Sequence, residues 1–142
     1  MPTAGTLNTP EIRVVEAYIS AINRHDISDL GRLMAAKHTF VDSSGNILSG
    51  RENMAAGWKE YFRMFPDYRI HVERILADKA VVAVFGSAFG TYNGKRGAIA
   101  ENMIAMPAAW RAWVEDGEVL EWQVYADWTK GWKTIEKDDE TG

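Results

Sequence analysis

At Phe65-Pro66-Asp67 the hydrophobic period of the chain changes from 3.6 residues to 2. Before that point apolar side chains recur at helical spacing; after it they alternate with polar ones. Helices gathered first and strands gathered afterwards specify an α+β domain, in which helices cover one face of an antiparallel sheet. The expected architecture is a cone: three N-terminal helices packed on a strongly curved antiparallel or mixed sheet, with a pocket at the mouth.

The helical half has well-marked boundaries. Thr9-Pro10-Glu11 places a capping hydroxyl, a proline that needs no N–H, and an acid near the positive end of the dipole. Ile12, Val15, Ile19 and Ile22 form the inner stripe of the first helix, with Val14, Tyr18 and Ala21 beside it. Asp26 caps a shorter second helix carrying Ile27, Leu30, Leu33 and Met34. Ser49-Gly50-Arg51-Glu52 has the S-x-x-E spacing of a capping box, and predicts the start of a third helix. Met54, Ala55, Trp58, Tyr61, Phe62 and Phe65 give that helix an aromatic wall, which Pro66 ends.

In the stranded half, Tyr68, Ile70 and Val72 alternate with Arg69, His71 and Glu73. Ala80 to Tyr92 predicts a long strand with Gly86, Ala88 and Gly90 on one face, leaving room there, and Phe85, Ser87 and Phe89 on the other. Asn93-Gly94 signals a hairpin whose glycine-containing loop exceeds two residues. Ala98 to Glu115 reads as the next strand, with Pro107 marking a bulge or an edge, and Glu115 to Glu118 as a turn. The last strand, Val119 to Asp127, sets Leu120, Trp122, Val124 and Ala126 against Glu121, Gln123, Tyr125 and Asp127. Lys130 to Gly142 reads as a polar, frayed tail.

The 142 residues fit one domain, 1–142, with its core in about 10–128. A net charge of −4 without a Lys/Arg cluster argues against nucleic acid as a partner. No apolar run spans a bilayer and no leader pattern occupies Met1 to Asn8, so the expected setting is cytoplasmic, with no membrane partner. Zero cysteines exclude disulfides and thiolate metal sites, and His25, His38 and His71 are scattered, so neither metal nor cofactor is expected.

Chemistry concentrates in residues 37–49, a strand followed by a Ser-Ser-Gly-Asn turn. His38, Phe40 and Asp42 share one strand face. A carboxylate on an apolar face loses solvation, which raises its pKa and suits a general base. The same Asp42 could instead start the turn by bonding its own backbone. His38 lies about 7 Å along the strand from Asp42 and could orient a substrate or mark the strand's start.

Several strings, in this order, resemble the NTF2-like superfamily, specifically its SnoaL-like and ketosteroid-isomerase-like branch. They are Val14 to Asn23 followed by Asp26; Phe40-Val41-Asp42; Ser49 to Glu52; Phe65-Pro66-Asp67; and Trp113 to Val119 with Glu121-Trp122. The resemblance spans roughly residues 10–128. It implies that Tyr18 matches the tyrosine that donates to the substrate oxyanion in ketosteroid isomerase, and Asp42 that enzyme's base. The second oxyanion donor falls at Ala109 or Trp110, neither of which ionises. In the polyketide cyclases an Asn stands where this chain has Asp42, and the acid/base Asp of the last strand falls at Val124. The resemblance also implies a homodimer through the sheet, and the aromatic outer face with Phe85, Phe89 and Tyr125 points the same way.

Two functions follow as expectations. One is an enzyme that moves a proton on an apolar, cyclic, carbonyl-type substrate, with Asp42 and Tyr18 as catalytic residues and a pocket formed by His38, Phe40, Trp58, Phe62, Trp110, Trp122 and Val124. The other is a protein that only binds a small hydrophobic molecule in that pocket.

Overall fold

The computed structural model describes residues 8–141; residues 1–7 and 142, at the ends of the stretches read for a leader and for a frayed tail, lie outside the described part. Its elements are α1 (Pro10–Asn23), α2 (Ile27–Leu33), β1 (Met34–Val41), β2 (Ile47–Ser49), α3 (Arg51–Met64), β3 (Arg69–Asp78), β4 (Val81–Thr91), a 3-10 turn (Ala100–Asn102), β5 (Met103–Glu115), β6 (Glu118–Ala126) and α4 (Thr129–Thr141). The strands form one mixed sheet in the order β2-β1-β6-β5-β4-β3. The fold is the expected α+β cone, with a fourth helix added. Among the described residues no helix is long and apolar enough to cross a membrane.

The long antiparallel ladder from Val81↔Trp113 to Thr91↔Met103 joins β4 to β5, and β5 pairs in turn with β6. β1 then runs parallel to β6, with Phe40 opposite Trp122. This non-local pairing brings the first strand beside the last, so the stretch leading to Asp42 borders the concave face. That face is apolar: Val82, Val84, Ile104, Trp110, Ala112 and Trp122 are buried on it. The helices close over it, and α1 contributes Ile12, Val15, Tyr18, Ile19, Ala21 and Ile22 to the core. Thr9 caps α1 by accepting from the Ile12 N–H at 3.1 Å, and Asp26 caps α2 by accepting from Asp29 at 3.0 Å.

Four local expectations are corrected. Ser49 makes no capping box: it lies on β2, and Gly50, at φ 99°, is the residue before α3, with no side-chain cap. That positive φ is open to glycine and costly for a residue with a Cβ. Val72 leaves the dry face of its strand and is 37% exposed, because the register of β3 against β4 shifts between Val72 and Arg74. The strand expected from Ala98 begins only at Met103, after the 3-10 turn. Pro107 does pair with Ser87, but the β6 partners stop at Ala108↔Ala126, so its missing donor falls beyond the end of the β5/β6 ladder.

The fourth correction is the largest, because the segment read as a frayed tail is α4. Gly131, Ile135 and Asp138 recur at helical spacing and are buried. At its start Asp127 accepts from the Thr129 N–H at 2.9 Å and from the Thr129 hydroxyl at 2.6 Å. At its far end Asp138 Oδ1 accepts from Arg96 Nε at 2.7 Å and from Asn102 Nδ2 at 3.0 Å, locking the helix to the loop between β4 and β5. That loop passes so close that a Cβ on Gly94 would stand 2.2 Å from Asp138 Oδ2.

Candidate functional site

The concave face, α3 and α4 enclose a cavity of about 290 Å³. Phe40, Trp110, Trp122 and Val124 form its sheet wall, Trp58, Tyr61 and Phe65 its α3 wall, and Trp128, Trp132 and Ile135 its C-terminal wall. Tyr68 completes the α3 side. The space left by the small residues of β4 is shared: Ala88 faces the cavity, whereas Phe65 packs over Gly90. The wall contains no Lys, Arg or His, and its one acidic side chain is Asp42.

Asp42 both starts its turn and stands in the cavity wall. Its Oδ1 accepts from the backbone N–H groups of Ser44 and Asn46, each at 2.9 Å, so it does start the Ser-Ser-Gly-Asn turn. The backbone of the same turn closes through the Asp42 N–H to Asn46 and the Gly45 N–H to Asp42, at 2.9 and 3.0 Å. With Ser43 and Ser44 it also stands in the cavity wall. The turn fixes one oxygen, and Oδ2 makes no hydrogen bond to another described residue. The carboxylate is half-buried rather than enclosed, a wetter setting than the apolar strand face suggests.

Tyr18, His38 and Phe62 stand behind the wall. Tyr18 is fully buried, its hydroxyl accepts from Trp58 Nε1 at 3.2 Å, and its ring lies 5.0 Å from that of Trp122. Burial pushes its phenol up, against the lesser opposing effect of the Trp58 bond. His38 is equally buried, with Nδ1 2.7 Å from the Val119 carbonyl. A carbonyl only accepts, so Nδ1 carries the proton and Nε2 is the lone-pair nitrogen, without a partner among the described residues. Burial pushes this imidazole below its ordinary value, which the Val119 carbonyl and Glu121 oppose. Phe62 stacks on His25 at 3.9 Å, and His25 in turn bonds the Tyr68 carbonyl at 2.9 Å.

Among the described residues no group of three or more His, Cys, Asp or Glu gathers as metal ligands would. Sequence reasoning missed Tyr61 and Tyr68 as wall residues, although Tyr61 lies in register with Trp58 and Phe65 on the aromatic stripe of α3. It also missed Trp128, Trp132 and Ile135, whose helical spacing was hidden in a segment read as a tail.

With this geometry in view, the sequence profile of the SnoaL-like domain matches residues 15–122, most of the chain. The chain belongs to the SnoaL-like domain family. Its fold recurs in a protein from Jannaschia sp. CCS1 assigned to the SnoaL-like polyketide cyclases, with a TM-score of 0.79, 18% identity, and 95% of this chain and 97% of that one covered. An LEH-like epoxide hydrolase from M. tuberculosis aligns at a TM-score of 0.75 and 17% identity over 91% of each chain. A protein with the ketosteroid isomerase-like fold from Catenulispora acidiphila, solved in complex with trimethylamine, aligns at a TM-score of 0.71 and 24% identity over 83% of this chain and 86% of that one. At these identities the likeness is one of fold, and folds of this kind carry many chemistries. No curated protein matches the chain.

Proposed function

We propose that this SnoaL-like protein is an enzyme that transfers a proton on an uncharged, cyclic, carbonyl-type substrate, with Asp42 as the base. The observation that carries the reading is that Asp42 is, among the described residues, the only carboxylate in a largely aromatic and aliphatic wall, with one oxygen fixed by the turn and the other free. In the step, the bond between a hydrogen and the carbon next to the carbonyl breaks. The C–H electron pair forms a carbon–carbon double bond as the carbonyl π pair moves to oxygen, and the proton goes to Asp42; where the substrate has a β,γ double bond, return of the proton at the gamma carbon re-forms the carbonyl and completes an isomerisation.

The second reading, a protein that binds a small hydrophobic molecule without changing it, is favoured by one observation: Tyr18, the oxyanion donor that the family resemblance implies, has its hydroxyl turned to Trp58. One experiment separates the two. With 2-tetralone in deuterated buffer, loss of the alpha-proton signal reports proton transfer and tryptophan fluorescence reports binding. The enzyme reading expects exchange above the buffer rate, abolished in Asp42→Asn while binding persists. Binding with no acceleration would leave the binding-protein reading in its place.

The convex face supports a second copy of this chain as partner. Phe85, Ala109 and Tyr125 lie in one row across β4, β5 and β6, with Phe85 and Tyr125 46% and 45% exposed, and Trp113 is exposed on the same face. A two-fold contact would cover this row with itself. Light scattering at micromolar concentration is expected to give a dimer, and Tyr125→Lys a monomer; a monomeric wild type would refute the contact.

A further inference from the structure

Two phenols in the cavity wall lack the partner that a buried tyrosine normally has. Tyr61 projects from α3, and Tyr68 lies between α3 and β3 with 7% of its surface exposed. Their rings meet edge to face at 4.9 Å, and Trp58 stands 6.0 and 6.5 Å from them, so the three rings form one aromatic corner. Neither hydroxyl hydrogen-bonds to another described residue. Among the described residues, the side-chain atoms that are both sealed from water and unpartnered are His38 Nε2, Arg111 Nε and Asp138 Oδ2. The two phenol oxygens are not among them, so neither is sealed in the interior, and both side chains line the cavity. Tyr18, the buried phenol behind the wall, shows the difference, because it has its partner in the Trp58 indole.

We propose that Tyr61 and Tyr68 together bind an acceptor oxygen, carbonyl or ether, on an uncharged ring-shaped ligand whose body packs against Trp58 and the sheet wall. This assignment rests on reading the cavity as the substrate site and adds to it which end of the substrate is held, and by what. Burial raises both phenols above their ordinary value, so each keeps its proton and is a donor at neutral pH. Their acceptors must come from the ligand. An anionic ligand is disfavoured, because the wall has no cation to pair with it and already contains the Asp42 carboxylate. A pure hydrocarbon would fill the space but leave two donors desolvated and unpaired. A neutral ligand bearing an acceptor oxygen pairs with both phenols and sets no second negative charge against Asp42. His25 supports the arrangement, since its bond to the Tyr68 carbonyl ties that residue's backbone to the end of α1.

The test uses 2-acetylnaphthalene and 2-ethylnaphthalene, which share a ring system and differ in one carbonyl oxygen, titrated against intrinsic tryptophan fluorescence. The wild-type protein is expected to bind the ketone about tenfold more tightly than the hydrocarbon, or better. In Tyr61→Phe/Tyr68→Phe that preference should fall to about twofold or less, while affinity for 2-ethylnaphthalene holds or improves. Asp42→Asn should keep the full preference. Equal binding of both probes by the wild type overturns the oxygen-anchor assignment and leaves the cavity reading standing, as does a preference that survives in the double variant. Failure of both probes to bind the wild type overturns the cavity reading itself, and this proposal with it. The wild-type comparison requires no variant to fold.

Discussion

Asp42 in the cavity wall and Asp138 on the buried side of α4 are two carboxylates kept for opposite purposes. Asp138 has no exposed surface; Arg96 and Asn102 both donate to its Oδ1, and the bonds tie α4 to the loop between β4 and β5. Asp42 is half-buried, spends one oxygen on its own turn and leaves the other open in the cavity wall. Each leaves its Oδ2 without a partner among the described residues, but that of Asp138 is sealed inside the protein, where the carboxylate can only position chain, whereas Asp42 stands in the cavity wall, where it can act on something else. The same division separates Tyr18 and His38, whose bonds run to Trp58 and Val119, from Tyr61 and Tyr68, which await a partner.

The sharpest way to break this comparison is to exchange the expected costs. Asp138→Ala leaves Arg96 and Asn102 donating into a void beside α4, and removing one member of a buried pair is strongly destabilising. It should lower the thermal midpoint by several degrees and raise amide exchange across 129–141, because the anchor of α4 is gone. Gly94→Ala should do much the same through the 2.2 Å approach of its new Cβ to the carboxylate. Asp42→Asn should do the reverse: a stability change within about 1 kcal/mol, because the amide oxygen can still accept the two turn bonds, but a fall in proton transfer on the order of 10² or more. If Asp42→Asn proves the less stable of the two, the division between structural and chemical carboxylates fails.

Acid denaturation sharpens the same contrast with smaller effects. Burial holds His38 below its ordinary 6.5. The folded value being the lower one, the unfolded chain takes the proton first, so this contribution to stability is complete above about pH 6.5 and is lost as pH falls through the folded value. Asp138 is also depressed, first by its Asn102 bond and then, against burial, by Arg96. Its contribution is complete above the ordinary 3.8 and is lost as pH falls through its lower folded value. Stability should therefore decline in two windows. Asp138→Asn should shrink the lower window, to which the depressed Asp29, Glu60 and Asp127 also contribute, and spare the upper one in thermal melts taken from about pH 8 to about pH 3; an unchanged lower window would show that Asp138 does not drive it.

Much of the fold was legible because local signals and tertiary demands agreed. Thr9 and Asp26 cap where the sequence puts them, and the 3.6-to-2 change at Pro66 marks the passage from α3 to β3. The failures fall where long-range contacts decide. Val72 alternates correctly in sequence, yet the bulge against β4 turns it outward. The charged run at the C-terminus looks solvated, but Asp138 is neutralised by Arg96 from a loop 42 residues earlier, and no local pattern announces such a pairing. For the site, Phe40, Asp42, Trp58, Trp110, Trp122 and Val124 stand in the wall, while Tyr18, His38 and Phe62 stand behind it. Alternation and helical stripes report which face a side chain takes. They do not report whether another ring, here Trp58, lies between that side chain and the cavity.

The finest discrimination compares two phenols that burial perturbs in the same direction. Tyr18 and Tyr68 are both enclosed, and both are raised for that reason. Their environments differ in one respect: the Tyr18 oxygen receives the Trp58 N–H, and the Tyr68 oxygen receives nothing from the described protein. Removing the Tyr18 hydroxyl strands a buried indole donor, so Tyr18→Phe should destabilise the protein by about 1 kcal/mol. Removing the Tyr68 hydroxyl strands nothing and takes away an unpaired polar group, so Tyr68→Phe should leave stability unchanged or slightly higher. Denaturant midpoints at unchanged slope measure both. Ligand binding should show the opposite order, with Tyr68→Phe weakening oxygen-bearing ligands and Tyr18→Phe acting only through the set of the Trp58 ring. If Tyr68→Phe is the more destabilising variant, its hydroxyl already has a partner and cannot be waiting for a ligand.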